Sequence, residues 1–218
     1  MTWLFDNFAY VWSLTLTHMV LSAIPIVAGF VIALPIGWYA SRHPRLRGIL
    51  LSLGSVFYSI PSLPLFVILP SIIGTDILAP ANVVVALTMY AAAIMVRSAS
   101  DAFVSVAPEV LDAATATGYS PGKRLFTVQL PLAGPVLLAG LRVVAVSTVS
   151  LVSVGALIGV GSLGSLFTDG FQRGFTAEIV IGVVFTVLVA LAFDALLVFG
   201  ARLLMPWASL SRASSGAS

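Results

Sequence analysis

Apolar residues occur along this chain in long runs that are separated by short polar stretches. Five runs come close to the roughly 20 residues that an α-helix needs to cross a bilayer, at about 14–40, 48–73, 81–99, 143–160 and 177–204. An interfacial piece is expected at 130–142, just before the fourth run. The pattern predicts an all-α polytopic membrane protein with a five-span core. Six spans would result if the second run, which prolines interrupt, formed two crossings.

The runs divide the chain into three regions. Residues 1–13 are expected to be an N-terminal segment, residues 14–204 a transmembrane domain, and residues 205–218 a Ser-rich tail. Within the transmembrane domain, the most polar stretch is the loop at 100–130, and a second, glycine-rich loop covers 161–176.

Composition supports the membrane assignment and excludes several kinds of functional site. Only 8% of the 218 residues are charged and 60% are hydrophobic, whereas about 25% of the residues of a soluble domain are charged. The absence of cysteine excludes disulfides and thiolate chemistry, and the isolated His18 and His43 predict no metal site. A net charge of +2 reflects few charges of either sign, so we expect no nucleic-acid surface. No cleavable signal peptide is expected, because Asp6 is the only charge near the N-terminus.

The distribution of basic residues predicts the orientation, since Lys and Arg concentrate in cytoplasmic loops. On one side of the predicted spans lie Arg42, Arg45, Arg47, Lys123, Arg124, Arg202 and Arg212. On the other side lie Asp6, Asp76, Asp169 and Glu178, with Arg173 as the exception. We therefore expect the N-terminus outside, and the C-terminus and loop 100–130 in the cytoplasm.

Loop 100–130 has the signals of two short helices joined by a tight turn. Pro108 suits a first helical turn, and Glu109 would face the positive end of the helix dipole. Gly118 is a natural helix stop, and Ser120 followed by Pro121 restarts a helix. The small alanines between these signals would let a partner approach closely. The loop is therefore either a docking surface or an ordinary polar connection.

The same loop resembles the EAA motif of ABC importer permeases. The motif has an acidic residue, two alanines, a glycine six positions after the acid, an apolar residue and Leu-Pro. Here these are Asp112, Ala113, Ala114, Gly118, Val128, Leu130 and Pro131. The departure is Asp112 where Glu is usual. The resemblance implies that the loop forms coupling helices that dock in a cleft of an ATPase subunit, on the fold of the methionine-importer-permease-like (type I ABC importer) group.

Two shorter stretches carry a narrower resemblance. Residues 59–65 (SIPSLPL) and 156–164 (ALIGVGSLG) resemble stretches of permeases for quaternary-amine osmoprotectants such as glycine betaine, carnitine, choline and proline betaine. The implied cargo is a compound of this kind. A methionine or other amino-acid importer is the alternative within the family, and a secondary transporter is the alternative from another class.

Prolines and glycines in these stretches suggest a pathway. Broken helices in membranes are tolerated where they are buried in protein or line a wet cavity, so Ser59, Pro61, Ser62 and Pro64 are predicted to line the translocation path. A packing kink is the alternative. The glycines predicted to lie at the outer mouth of the translocation path are Gly159, Gly161 and Gly164.

Two charged residues fall within predicted spans. Charges inside a membrane are costly and usually pair or face water, so Arg97 and Asp194 are predicted to form an ion pair. The alternative partner for Arg97 is Asp101, one helical turn away.

The sequence contains no P-loop, which predicts that the chain is not itself an ATPase and binds no cofactor. The resemblance implies partners in a bacterial inner membrane: an ABC ATPase dimer that holds ATP and Mg²⁺, a second permease copy or paralogue, an extracytoplasmic substrate-binding protein, and the lipid bilayer.

Overall fold

The computed structural model describes residues 2–207, in which no β-strand occurs. The α-helices are α1 (Thr2–Asp6), α2 (Phe8–Ser41), α3 (Pro44–Tyr58), α4 (Ser62–Ile73), α5 (Pro80–Val104), α6 (Pro108–Ala116), α7 (Pro121–Arg124), α8 (Leu130–Val152), α9 (Gly164–Gln172) and α10 (Thr176–Leu204). A π-helical turn at Leu125–Gln129 joins α7 to α8, and a 3₁₀ helix at Ser153–Ile158 follows α8. The all-α architecture predicted from the sequence is confirmed.

The spans match the predicted five-span core. Four helical stretches within residues 2–207 are long and apolar enough to cross a membrane: α2, α5, α8 with the helical turns at its two ends, and α10. The pair α3 and α4, which bend by 99° at a short break, is apolar enough only when taken together, and it gives the fifth span if the two helices form one crossing. The proline-broken run is thus one bent element.

Several predicted boundaries are wrong. Helix α2 begins at Phe8, so residues 8–13 are helical and continuous with the first apolar run. The division of the chain at residues 13 and 204 stays a prediction. The predicted glycine-rich loop at 161–176 contains helix α9. The interfacial piece expected at 130–142 is instead the first half of the continuous helix α8. Two residues of this first half contact other helices: Gly140 lies against Ser98, and Arg142 pairs with Asp194.

Helices α2 and α5 pack closely through small residues. A Cβ atom placed on Gly29 would lie 2.6 Å from the Cβ of Ala91, and one on Gly37 would lie 2.5 Å from the Cβ of Ala99. Small residues allow such backbone approach between membrane helices, where packing rather than water exclusion drives association. These contacts fix α5, and with it the start of loop 100–130, against the first span.

Helix α10 is the least buried of the four long apolar helices named above. Within this single chain it buries only Glu178, Gly182 and Val189, while apolar side chains such as Leu196 and Phe199 are more than half exposed. Its remaining apolar surface is therefore available to lipid or to another subunit.

Candidate functional site

Helix α6 begins and ends as the sequence predicted. Pro108 occupies its first turn, with Glu109 beside it. At its other end Gly118 adopts φ +85°, the left-handed region. The N–H of Gly118 donates to the carbonyl of Thr115 at 3.0 Å, and the N–H of Tyr119 donates to the carbonyl of Ala114 at 3.1 Å. This pair of bonds is a Schellman motif, which satisfies carbonyls that a helix end leaves free.

Helix α7 is held in a fixed position relative to α6. Its first residues follow the N-cap Ser120, whose Oγ accepts a hydrogen bond from the N–H of Lys123 at 3.4 Å. The Nη1 of Arg124 donates to the Oγ1 of Thr115 at 2.7 Å, and the Nζ of Lys123 lies 4.5 Å from the ring centre of Tyr119. The two helices therefore form one unit, which we call the α6–α7 loop. The sequence spacing gave no signal for the Arg124–Thr115 bond.

The outward surface of the α6–α7 loop is partly acidic and partly apolar. Asp112 and Ala113 are exposed, whereas Ala114 is buried against the chain itself. The expected approach of a partner to the alanines of this loop stays a prediction. Val110 is 41% exposed, and Phe126, in the π-helical turn, is 69% exposed. Exposed apolar side chains beside charges are typical of a docking surface. Sequence reasoning missed both apolar residues.

The loop is tied to the spans at Gln129, the last residue of the π-helical turn. Its buried Oε1 accepts a hydrogen bond at 3.3 Å from the Nε1 of Trp38, on α2. The guanidinium of Arg42 stacks on the Trp38 ring at 4.0 Å. Burial, and then the positive charge of Arg124, lower the pKa of Arg42. Trp38 thus joins the first span to the loop.

The remaining motif residues lie where the loop enters α8. Val128, Leu130 and Pro131 are half-buried, and the carbonyl of Pro131 accepts a hydrogen bond from the Nε1 of Trp207 at 3.4 Å. The π-helical turn at Leu125–Gln129 therefore continues into α8 without a break.

The break between α3 and α4 falls at the predicted prolines. Ser59 ends α3 and Pro61 precedes α4, both exposed, while Ser62 and Pro64 lie in the first turn of α4. Of these prolines only Pro61 stands at the break itself. Their predicted place in a translocation path stays a prediction.

A tyrosine that sequence reasoning missed stabilises this break. The hydroxyl of Tyr90, on α5, donates to the carbonyl of Ile60 at 2.5 Å, and Tyr90 is 3% exposed. The rings of Phe57 and Tyr58 both lie 5.7 Å from that of Tyr90. The bond satisfies a backbone carbonyl that the bend removes from the helix, as a low-dielectric environment requires.

The three predicted glycines lie at the end of α8 away from the α6–α7 loop, and each has a different environment. Gly159 adopts φ +84° in a second Schellman turn, in which the N–H of Val160 donates to the carbonyl of Gly155 at 3.1 Å. Gly164 packs against the backbone of Ser153, and no side chain would fit there. Gly161 has open space around it. Their predicted place at an outer mouth stays a prediction.

The predicted ion pair between Arg97 and Asp194 is wrong. Asp194 accepts two hydrogen bonds from Arg142, at 2.5 and 2.8 Å. Arg97 instead donates to the Oγ of Ser55 at 2.9 Å. The alternative partner Asp101 is bound by Arg47 at 2.5 Å. The physical reason is the helix order: α10 packs on α8, and α8 packs on α5. Arg142 was overlooked because it was assigned to a separate interfacial piece.

Comparison with known proteins decides the family. Residues 25–209 match the family described as the inner membrane component of binding-protein-dependent transport systems. The chain belongs to this permease family. The predicted resemblance is therefore confirmed.

Relatives and solved structures agree with this membership. The permease is 31% identical to the osmoprotectant import permease protein OsmW of Salmonella typhimurium, over 89% of this chain and 92% of that protein. It is 27% identical to the glycine betaine/carnitine/choline transport system permease protein OpuCD of Bacillus subtilis, over 94% and 89%. Its fold is similar to a chain of the MetNI methionine ABC transporter, with a TM-score of 0.71, 23% identity, and 86% and 94% coverage.

Membership confirms the predicted fold and places the permease in an inner membrane, as one component of a transport system. It also implies an ATPase and a substrate-binding protein as partners.

Proposed function

We propose that this chain is the transmembrane permease subunit of an ATP-driven importer that carries a quaternary-amine osmoprotectant into the cell by alternating access. The glycine betaine, carnitine, choline and proline betaine type is the cargo class. The observation that carries the proposal is the similarity along nearly the whole chain to permeases named for osmoprotectant, carnitine, choline and glycine betaine transport.

The coupling residues proposed for ATPase docking are those of the EAA-like motif, supported by the geometry of the α6–α7 loop. The exposed Glu109, Asp112 and Ala113 would contact the ATPase, while the Gly118 turn sets the angle between the two helices. Closure of an ATPase dimer would move this unit, and the Trp38–Gln129 bond and helix α8 would carry the motion into the spans. The free energy enters through contacts that differ between the two states.

The proposed assembly contains two ATPase subunits, which hold ATP and Mg²⁺, and a second permease copy or paralogue. The exposed apolar face of α10 supports a further subunit, because a single chain leaves it uncovered. The N-terminus would lie outside and the C-terminus in the cytoplasm, with the substrate-binding protein at the outer face. The chain itself would bind no cofactor and catalyse no reaction.

The proposed pathway runs past the bend between α3 and α4. Ser59, Pro61, Ser62 and Pro64 would line it, since Ser59, Pro61 and Pro64 are exposed in this chain. Gly159, Gly161 and Gly164 would border its outer mouth.

Uptake in proteoliposomes tests the proposal. The permease would be reconstituted with its ATPase and binding protein, and entry of labelled glycine betaine measured with internal ATP, and with ADP as the control. The expected result is accumulation with ATP only. Accumulation that follows an ion gradient without ATP would indicate a secondary transporter, and ATP-driven uptake of methionine without glycine betaine would indicate an amino-acid importer.

A further inference from the structure

A cavity opens at the end of the spans opposite the α6–α7 loop. Its volume is about 430 Å³, and it is lined by Trp3, Asn7, Tyr10, Asp169, Gln172 and Arg173. Cavities of about 300–1,000 Å³ are typical of small-molecule sites. The lining residues come from α1 and the start of α2 on one side, and from α9 and the residue after it on the other.

The aromatic wall of the cavity is held in place. The ring of Trp3 lies 5.9 Å from that of Phe175 in an edge-to-face arrangement. The Nδ2 of Asn7 donates to the carbonyl of Trp3 at 2.9 Å. Phe175 is in turn fixed by a bond from its N–H to the carbonyl of Gly170 at 2.8 Å. The indole is therefore positioned before any ligand arrives, which lowers the entropic cost of binding.

The positive charge at the cavity is neutralised within the chain. The Nη2 of Arg173 donates to both carboxylate oxygens of Glu178, at 2.6 and 2.5 Å. Glu178 is fully buried, so this carboxylate depends on Arg173 for its partner. The Nη1 of the guanidinium donates no hydrogen bond within residues 2–207.

A negative charge at the same cavity is not neutralised. Asp169 forms no ion pair with a basic residue anywhere in residues 2–207. Its carboxylate accepts hydrogen bonds from the hydroxyl of Tyr10 and, at 3.4 Å, from the Oγ1 of Thr168, and neither bond cancels its charge. The cavity thus combines a carboxylate that has no ion-pair partner with the rings of Trp3 and Tyr10.

This combination fits a cation that cannot donate hydrogen bonds. A quaternary ammonium group is attracted to aromatic faces and to a carboxylate, and needs no hydrogen-bond acceptor. We infer that this cavity binds a small quaternary-ammonium compound at the outer end of the permease, as the place where cargo enters from the binding protein. The inference rests on the proposed function for its cargo class and orientation. The carboxylate of a betaine would reach the free Nη1 of Arg173.

Direct binding to the permease–ATPase complex, without the binding protein, tests the inference. Calorimetry would compare choline with 3,3-dimethylbutan-1-ol, which has the same shape and no charge. Choline is expected to bind and the neutral alcohol to bind at least about tenfold more weakly, because cation–π and carboxylate attraction both require the charge.

Substitutions assign the binding to this cavity. Asp169→Asn removes the charge with little change of shape and is expected to weaken choline binding about tenfold. Its matched control is Asp76→Asn, at an exposed aspartate outside the cavity. Trp3→Leu is expected to weaken binding about fivefold, whereas Trp12→Leu, at an exposed tryptophan that does not line the cavity, should leave it unchanged.

The outcomes separate this inference from the proposed function. Equal choline affinity in the Asp169→Asn and Asp76→Asn complexes would overturn the cavity site, even if wild-type proteoliposomes import glycine betaine. An Asp169→Asn complex that captures the binding protein poorly, yet binds choline normally, would also overturn it and would mark the cavity as a protein-docking surface. Absence of quaternary-amine uptake by the wild type would reject the proposed function, while the titration would still decide the cavity.

Discussion

The turn at Gly118 offers the sharpest test of how the α6–α7 loop works. Its φ of +85° is a conformation that L-residues with a side chain rarely adopt, while a Cβ atom there would meet nothing within 4 Å. Substitution therefore changes the backbone energy without creating a clash. Alanine in the left-handed region costs about 1 kcal/mol or more, asparagine costs much less, and a β-branched residue costs more.

The expected ranking at this position is Gly, then Asn, then Ala, then Val. A cost of about 1 kcal/mol shifts the population of the turn roughly fivefold. If docking requires this turn, the same factor appears in the affinity for the ATPase. The assay is titration of the purified ATPase onto each permease variant in detergent, with ATP-driven uptake measured in parallel.

The control is Gly122→Ala, four residues further on. Gly122 also has open space around it, but it lies in helix α7 without a positive φ. Its substitution should leave the affinity unchanged. The reasoning is refuted if Gly118→Asn is as damaging as Gly118→Ala, or if Gly122→Ala weakens docking equally.

Three further predictions concern the spans. Gly37→Ala should destabilise the permease by about 1–3 kcal/mol, because its Cβ would press on the backbone of α5; thermal unfolding in detergent checks this, and an unchanged midpoint would contradict it. Tyr90→Phe should reduce stability by about 1 kcal/mol, because the carbonyl of Ile60 loses its hydrogen bond from the Tyr90 hydroxyl, whereas Tyr58→Phe should be neutral in the same assay; equal effects would contradict the assignment. Asp194→Arg should abolish folded expression and Arg142→Asp in the same chain should restore it; a double variant as poor as the single one would reject the pair.

The sequence was sufficient to predict the features that depend on residues close together in the chain. The ends of α6 and the start of α7 followed from Pro108, Gly118 and Ser120, because capping and turn signals act within a few residues. The number of spans followed from the apolar runs, because the bilayer sets their length.

The sequence was insufficient to predict which side chains of different helices contact each other. Arg97 was assigned the wrong partner because hydropathy does not reveal that α8 separates α5 from α10. The same limit hid the Tyr90–Ile60 bond, which joins residues 30 positions apart. It also hid the cavity that brings Trp3 to Asp169, since their elements lie at distant places in the chain.

Cross-linking at the α6–α7 loop tests the central claim most directly, namely that this loop is the surface through which the ATPase acts on the spans. The chain has no cysteine, so Ala113→Cys introduces a single thiol at an exposed position. Gly161→Cys, at an exposed position beyond the far end of α8, is the matched control. A thiol-reactive photo-cross-linker should join the Ala113→Cys permease to the ATPase, with a yield that changes on adding ATP, and should not join the control. Equal yields at both positions, or no ATPase adduct at Ala113→Cys in a complex active in uptake, would contradict the account.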